Sequence, residues 1–109
     1  MSTVLVIEND VPALRLMAWG LMEEGFEVGM AHVPDALARV RTKPPDVIVF
    51  NTLAPAEQKA ALIKEFRQTA PTVRIVDVSD SDGAGADVRV PLPIRVDVIV
   101  DAIRELAGD

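Results

Sequence analysis

The sequence predicts an α/β fold in which helices cover both faces of a doubly wound, parallel, five-stranded sheet. Short apolar runs rich in β-branched residues, such as 3–7 and 47–50, lack polar alternation. This is typical of strands buried on both faces. Segments with helical periodicity follow such runs, as in successive βα units. Polar residues, glycine or proline separate the predicted strands and helices, so the order of the elements follows from the sequence pattern.

The first half of the chain predicts two strands and two helices. Residues 3–7 form the first strand, and Pro12 suits the first position of the helix that follows. Gly25 suits the C′ position at the end of that helix. Residues 26–30 alternate, which predicts a strand near a sheet edge, and residues 34–41 predict the second helix. The first helix directs these residues to the core: Leu14, Met17, Ala18, Leu21 and Met22.

The second half predicts three strands and two helices. The central strand is 47–50, the helix after Pro55 covers 56–68, and the fourth strand is 73–78. Residues 87–90 predict a short fifth strand, and 96–106 predict the last helix. The last helix is rich in β-branched residues, so it depends on packing more than on propensity. The third helix turns part of one face inward: Ala60, Ile63, Phe66 and Arg67.

The connection between the fourth and fifth strands is short. Residues 80–86 contain two glycines and no apolar period, whereas a crossover with its helix needs at least about 10–12 residues. We therefore expect the fourth crossover helix to be missing or shortened, leaving a sheet face partly uncovered near Asp77 and Ser79. Asp77 then either faces solvent or pairs with Arg74 or Arg89, because a buried, unpaired carboxylate is costly. This predicts a homodimer or partner site on the face and edge of strands four and five.

Composition excludes several classes of function. The chain has 109 residues, which fits a single domain over 1–109, and it has no cysteine and one histidine, which disfavours structural zinc. A net charge of −6 disfavours nucleic-acid binding, and no apolar run approaches the roughly 20 residues of a membrane span. The start of the chain carries no signal-peptide pattern, so we expect a cytoplasmic, bacterial domain.

Polar residues follow three of the predicted strands. Glu8, Asn9 and Asp10 come after the first strand, Asn51 ends the third, and Ser79 ends the fourth. In open α/β sheets, ligands bind beyond the carboxyl ends of the strands. Asn51 stands at the centre of this candidate site, where a carboxylate would make a nucleophile and an amide does not.

In these residues the chain resembles the receiver domain of two-component response regulators, the CheY-like family, over nearly its full length. Residues 8–10 stand at the family's acidic cluster, Asn51 at its phosphoacceptor aspartate, and Ala54-Pro55 at the Met-Pro that usually follows. Ser79 stands at the family's Ser/Thr, and Leu92-Pro93 at its Lys-Pro. The resemblance implies a flavodoxin-like fold with strand order 2-1-3-4-5 and a site at the switch point.

The departures from the family concern its chemistry. The resemblance implies that a working receiver binds Mg²⁺, forms an aspartyl phosphate and contacts the phosphoryl group with a lysine. Here Asn9 and Asn51 replace carboxylates and Leu92 replaces the lysine, which predicts a degenerate pocket with no metal and no cofactor. For Glu8 and Asp10, two interpretations stay open: residual divalent-ion binding, or a solvated loop with a charge at a helix N-terminus.

Two functions are compatible with this pattern. The first is an atypical receiver, not an enzyme, that signals by phosphorylation-independent protein–protein interaction with a histidine kinase, a regulator, an output domain or a second copy. The alternative is an active phosphotransfer receiver that uses another carboxylate, such as Asp10. Trp19 and Leu16 are either an exposed interface anchor or packed against the last helix or Phe26. His32 is expected in an exposed loop.

Overall fold

A five-stranded sheet lies between two layers of helices in the computed structural model, which describes residues 2–51, 54–80 and 85–108. The strands are β1 (Thr3–Ile7), β2 (Glu27–Ala31), β3 (Val47–Phe50), β4 (Arg74–Val78) and β5 (Val88–Val90). The helices are α1 (Val11–Glu23), α2 (Val33–Thr42), α3 (Ala56–Thr69) and α4 (Val96–Ala107). In the described part of the chain, no helix is long and apolar enough to cross a bilayer.

The sheet is parallel throughout and its strand order is β2-β1-β3-β4-β5, as predicted. Ile7 of β1 is aligned with Phe50 of β3, so both strands end at the same level. The backbone N–H of Asn51 continues this pairing by donating to the Ile7 carbonyl at 3.0 Å. The register therefore places Glu8 and Asn51 side by side, one residue beyond the ends of neighbouring central strands.

Each face of the sheet has its own core. On one face α1 and α4 pack against alternate strand residues such as Val6 and Val49, and on the other α2 and α3 pack against residues such as Ile7 and Ile48. Phe50 and Phe66 meet edge to face on the second side, with ring centroids 5.7 Å apart. β1 and β3 are buried from both sides, which explains their apolar runs without alternation.

Helix α1 ends at the predicted Gly25 and begins one residue before the predicted start, since Val11 is its first residue and Pro12 its second. The side chain of Asp10 accepts a hydrogen bond from the Ala13 N–H at 3.0 Å and caps the N-terminus. Gly25 has a φ of 93°, the left-handed conformation of a C′ residue. The prediction that Met22 lies in the core is wrong. Met22 is 42% exposed, because it lies beside the stripe that contains Leu14 and Leu21 and its side chain faces outward.

The connection from β4 to β5 has no helix in its described residues, 79–80 and 85–87, in line with the expected missing or shortened crossover helix. Residues 81–84 lie outside the described residues. Arg67 of α3 ties this connection to the domain by donating to the Gly85 carbonyl at 2.9 Å and to Asp87 Oδ2 at 3.1 Å. The Asp87 carboxylate also accepts the Ile75 N–H of β4 at 2.7 Å. One arginine side chain thus secures the short connection between β4 and β5.

The expectation of an uncovered face at Asp77 and Ser79 is wrong, because both residues are buried. Asp77 is 2% exposed and pairs with Lys59 of α3, whose Nζ lies 3.1 Å from Oδ1. Neither expected partner takes this role: Arg74 is exposed, and Arg89 donates to the Ser79 carbonyl at 3.1 Å. Lys59 shares the inward stripe of α3 with Ile63 and Phe66, where its amine meets the carboxylate across the sheet face.

The buried pair makes a testable contribution to stability. Lys59→Met should lower the free energy of unfolding by about 3–5 kcal/mol, because it leaves the Asp77 charge buried without its partner. The double variant Lys59→Met/Asp77→Val should recover most of this loss, because it removes both charges. Urea unfolding of the three proteins measures both values. Lys64→Met, on the exposed side of the same helix, is the matched control, and an equal effect in Lys59→Met and this control would contradict the assignment.

Candidate functional site

The centre of the candidate site is a hydrogen bond between two buried side chains. Asn51 Nδ2 donates to Glu8 Oε1 at 3.1 Å. The ends of β1 and β3 fix both backbones, so the contact follows from the sheet register. An amide donates to a carboxylate directly, whereas a second carboxylate at this distance would repel it. The pair is therefore satisfied without a cation between its members.

The environment of Glu8 disfavours its charged form. Burial raises the pKa of the Glu8 carboxyl above its ordinary value, and the nearby Asp10 charge adds a smaller upward contribution. The Asn9 backbone N–H, which donates to Glu8 Oε2 at 3.1 Å, opposes this shift. Both carboxylate oxygens of Glu8 thus have a donor inside the protein.

The side chains of Asn9 and Asp10 turn toward helix N-termini. Asn9 Oδ1 accepts the Val33 N–H at 2.8 Å at the start of α2, and Asp10 caps α1. His32 is exposed as predicted, and its Nδ1 lies 3.1 Å from the Glu8 carbonyl oxygen. For Asp10, the geometry favours the helix-terminus interpretation over ion binding.

The residues present do not fit the Mg²⁺ that the family resemblance implies. Mg²⁺ takes hard oxygen ligands, usually including one or two carboxylates. Four oxygens of this region already accept hydrogen bonds: both of Glu8, the amide oxygen of Asn9 and one of Asp10. Within residues 2–51, 54–80 and 85–108, no group of three or more His, Cys, Asp or Glu side chains is placed to hold a metal ion.

The remaining two predicted pocket residues do not join the Glu8–Asn51 pair through any described hydrogen bond. The Ser79 hydroxyl, at the end of β4, donates to Asp77 Oδ2 at 3.1 Å. Leu92, at the family's lysine position, packs against the core between the sheet and the α1–α4 layer, and its N–H donates to Asp80 Oδ1 at 2.9 Å. The position is therefore apolar in its contacts as well as in its identity.

Lys59 is the residue of this region that sequence reasoning missed. It is 2% exposed and holds Asp77, which in turn accepts the Ser79 hydroxyl. A signal was available: Lys59 falls on the helical stripe of Ile63 and Phe66, and Asp77 interrupts an apolar strand. Opposite charges on two facing buried surfaces predict a pair.

A second candidate region lies on α1 and the neighbouring edge strand β2. Trp19 is 58% exposed and Leu16 is 53% exposed, which favours the exposed alternative. We call the exposed apolar set the Trp19 surface; it comprises Val11, Leu16, Trp19, Met22 and Met30. Val11, Trp19 and Met30 also line a shallow groove between α1 and the end of β2, together with Arg15 and His32.

Solved structures of other proteins share this fold. A response regulator from Thermotoga maritima aligns with a TM-score of 0.86 at 19% identity, over 100% of this chain and 99% of that one. A CheY-like receiver domain protein from Methanospirillum hungatei aligns with a TM-score of 0.81 at 18% identity, over 99% and 95%. A chain in the structure of histidine kinase ThkA in complex with response regulator protein TrrA aligns with a TM-score of 0.83 at 21% identity, over 97% and 98%.

These likenesses confirm the resemblance at the level of the fold, which is that of response regulator receiver domains. No family model matches the sequence, and no curated protein matches it.

The raised pKa of Glu8 has a measurable consequence. The folded protein holds this proton more tightly than the unfolded chain, so its stabilising contribution is full below the ordinary value of 4.5 and is lost as the pH rises through the folded pKa. Glu8→Gln should therefore flatten the fall in unfolding free energy above pH 4.5. Urea unfolding over a pH series measures this, with the exposed Glu65→Gln as the control for net charge. A Glu8 carboxyl NMR titration with a midpoint at or below 4.5 would contradict the assignment.

Proposed function

We propose that this domain is an atypical receiver of two-component signal transduction that acts by protein–protein interaction and not by accepting a phosphoryl group. The observation that carries the proposal is the hydrogen bond from Asn51 Nδ2 to Glu8 Oε1. The neutral amide of Asn51 occupies the phosphoacceptor position, and it donates to the buried carboxylate of Glu8 beside it. Such a pocket is stable in one state, without the metal ion or phosphoryl group of a working receiver.

The chemistry of the pocket supports the same conclusion. Transfer of a phosphoryl group to the family's acceptor needs an ionised carboxylate as nucleophile, and the Asn51 amide has none. Leu92 supplies no positive charge to a developing phosphoryl oxygen, and removing one such preorganised group typically costs about 100- to 1000-fold in rate. The pocket therefore lacks both the nucleophile and the positive charge that would stabilise the phosphoryl oxygens.

The proposal includes the class of partner. One structural neighbour comes from a complex of a histidine kinase with a response regulator, which supports a protein partner here. The candidates are a histidine kinase, a regulator, an output domain or a second copy. The Trp19 surface is the candidate contact, because large exposed apolar side chains concentrate at interfaces. We place the domain in the cytoplasm of a bacterium as part of the same proposal, and we assign it no enzymatic activity.

The homodimer through strands four and five stays a prediction. Asp77 does not take part in it as a surface residue, since it is buried against Lys59. The edge strand β5 and the groove between α3 and Gly85 remain available for such a contact.

The alternative function uses Asp10 as phosphoacceptor. It is favoured by the exposure of the Asp10 carboxylate at the same end of the sheet as Asn51. It is disfavoured by the hydrogen bond that engages Asp10 Oδ2 as the cap of α1.

Incubation with phosphoramidate and Mg²⁺, followed by intact-mass measurement, tests the proposal. We expect no lasting gain of a phosphoryl group in the wild-type protein, because its acceptor position has no nucleophile. The variant Asn9→Asp/Asn51→Asp/Leu92→Lys is the positive control, since it restores both acids and the cation. A lasting mass gain in the wild type would contradict the proposal, and its loss in Asp10→Asn would establish the alternative.

Asn51→Asp alone should fail to restore robust phosphorylation, because Asn9 and Leu92 still lack their charges. It should also raise the pKa of Glu8 further and lower the melting temperature in the absence of Mg²⁺, since two carboxylates then meet in a buried place. Millimolar Mg²⁺ should recover stability in this variant and leave the wild type unchanged. Phosphorylation of the single variant at the rate of the triple variant would show that the pocket is less degraded than we propose.

A further inference from the structure

The outward face of α1 has a symmetric arrangement about Trp19. Leu16 and Met22 lie three positions on either side of it, and Arg15 and Glu23 lie four positions on either side. All five residues are exposed. Because positions three and four apart share a helix face, they form one stripe with an aromatic centre, apolar flanks and opposite charges at its two ends.

Such a stripe is complementary to itself when two helices run antiparallel. A two-fold axis through Trp19 places each Trp19 against its copy, Leu16 against Met22, and Arg15 against Glu23. We propose that the partner of the Trp19 surface is a second copy of this chain, docked through antiparallel packing of the two α1 helices. The inference deepens the proposed function, on which it rests, by naming the partner, and the interface is isologous, as in most two-fold dimers.

The charges argue for this occupant in particular. Neither Arg15 nor Glu23 forms an ion pair with another described residue, so both are available to a partner. Two copies, each with a net charge of −6, repel at long range. A parallel arrangement would bring Arg15 beside Arg15 and Glu23 beside Glu23. The antiparallel arrangement replaces both repulsions with two Arg–Glu contacts, one at each end of an apolar centre.

The surroundings of α1 leave this face accessible. Gly20 lies close to Val96 of α4, where an added Cβ would come within 2.5 Å of Val96 Cγ1, so α4 flanks α1 on that side. Met30 of the edge strand β2 flanks it on the other. Trp19 is 58% exposed between these flanks, so more than half of its surface is open to a second helix.

The expected dimer is weak and depends on concentration. The stripe from Arg15 to Glu23 spans about 12 Å of helix, and a single helix pair is smaller than the roughly 800 Å² that each partner contributes to a stable interface. Energy in such a contact concentrates in a central aromatic residue. Trp19 occupies that place, and its substitution removes both side chains of the central contact because each copy carries it.

Sedimentation velocity of the whole chain from micromolar to millimolar concentration tests the proposal. We expect a reversible monomer–dimer equilibrium, and Trp19→Ala should raise its dissociation constant at least about ten-fold. Leu62→Ala, which truncates a half-buried apolar residue on α3, is the matched control and should leave it unchanged. A wild-type protein that stays monomeric to millimolar concentration would overturn the inference.

A charge exchange tests the antiparallel arrangement directly. Arg15→Glu and Glu23→Arg should each weaken the dimer, and the double variant should restore it, because each helix end then meets the opposite sign again. Lys64→Glu and Glu65→Arg on α3 change the net charge by the same amounts and should have no such effect. Failure of the double variant to restore association would overturn the arrangement. A dimer that tolerates Trp19→Ala but is lost in Arg89→Glu would place the contact on β5 instead.

The two proposals fail in different ways. A monomeric chain whose pocket takes no phosphoryl group would overturn the dimer and leave the proposed function standing. A chain that gains a stable phosphoryl group would overturn the proposed function, whatever its state of association.

Discussion

A carboxylate removed from water needs a partner, and this constraint governs the carboxyl end of the sheet. Glu8 and Asp77 are both buried there, on neighbouring parts of the same edge. Glu8 takes its donor from the Asn51 amide, and Asp77 takes a cation from Lys59. Within the described residues, no buried side-chain nitrogen or oxygen lacks a hydrogen-bond partner. The site is thus divided into two separate pairs, Glu8 with Asn51 and Asp77 with Lys59, and each carboxylate has its hydrogen-bond donor.

In the function that we propose, this division separates the molecule from a working receiver. A metal ion or a phosphoryl group shifts a protein between two states only if it binds one state better than the other. Here each candidate group already has a partner: Asn9 holds the start of α2, Asp10 the start of α1, and Ser79 donates to Asp77. The starts of α1 and α2 are thus held by side chains that stand at the family's acidic cluster.

In the proposed function, the outer surface of α1 is the place where a partner binds. Trp19 and Leu16 are more than half exposed on a helix whose opposite stripe is fully buried. Exposed apolar surface is unfavourable in water, and the proposed association would remove part of it from water.

The sequence by itself determined the order of elements, the parallel sheet and the position of the candidate site. β1 and β3 were predicted to the residue, because a strand buried on both faces leaves an unbroken apolar run. Glu8 and Asn51 were predicted at the ends of these strands for the same reason, and the strand order implied by the family resemblance made the two strands neighbours. Helix α1 was located by Pro12 and Gly25, whose backbone preferences act locally.

Tertiary structure alone decided the partners of the charged residues. Asp77 was expected to face solvent or meet an arginine of β4 or β5, but it meets Lys59, because α3 lies across that face and brings a distant lysine over it. Met22 was expected in the core and is exposed, since helical periodicity defines a stripe without fixing the width that the sheet covers. Local patterns determine which face of an element is apolar. Which charged residue lies opposite a buried carboxylate depends on how elements that are distant in the chain pack together in space. This is decided only when the chain folds.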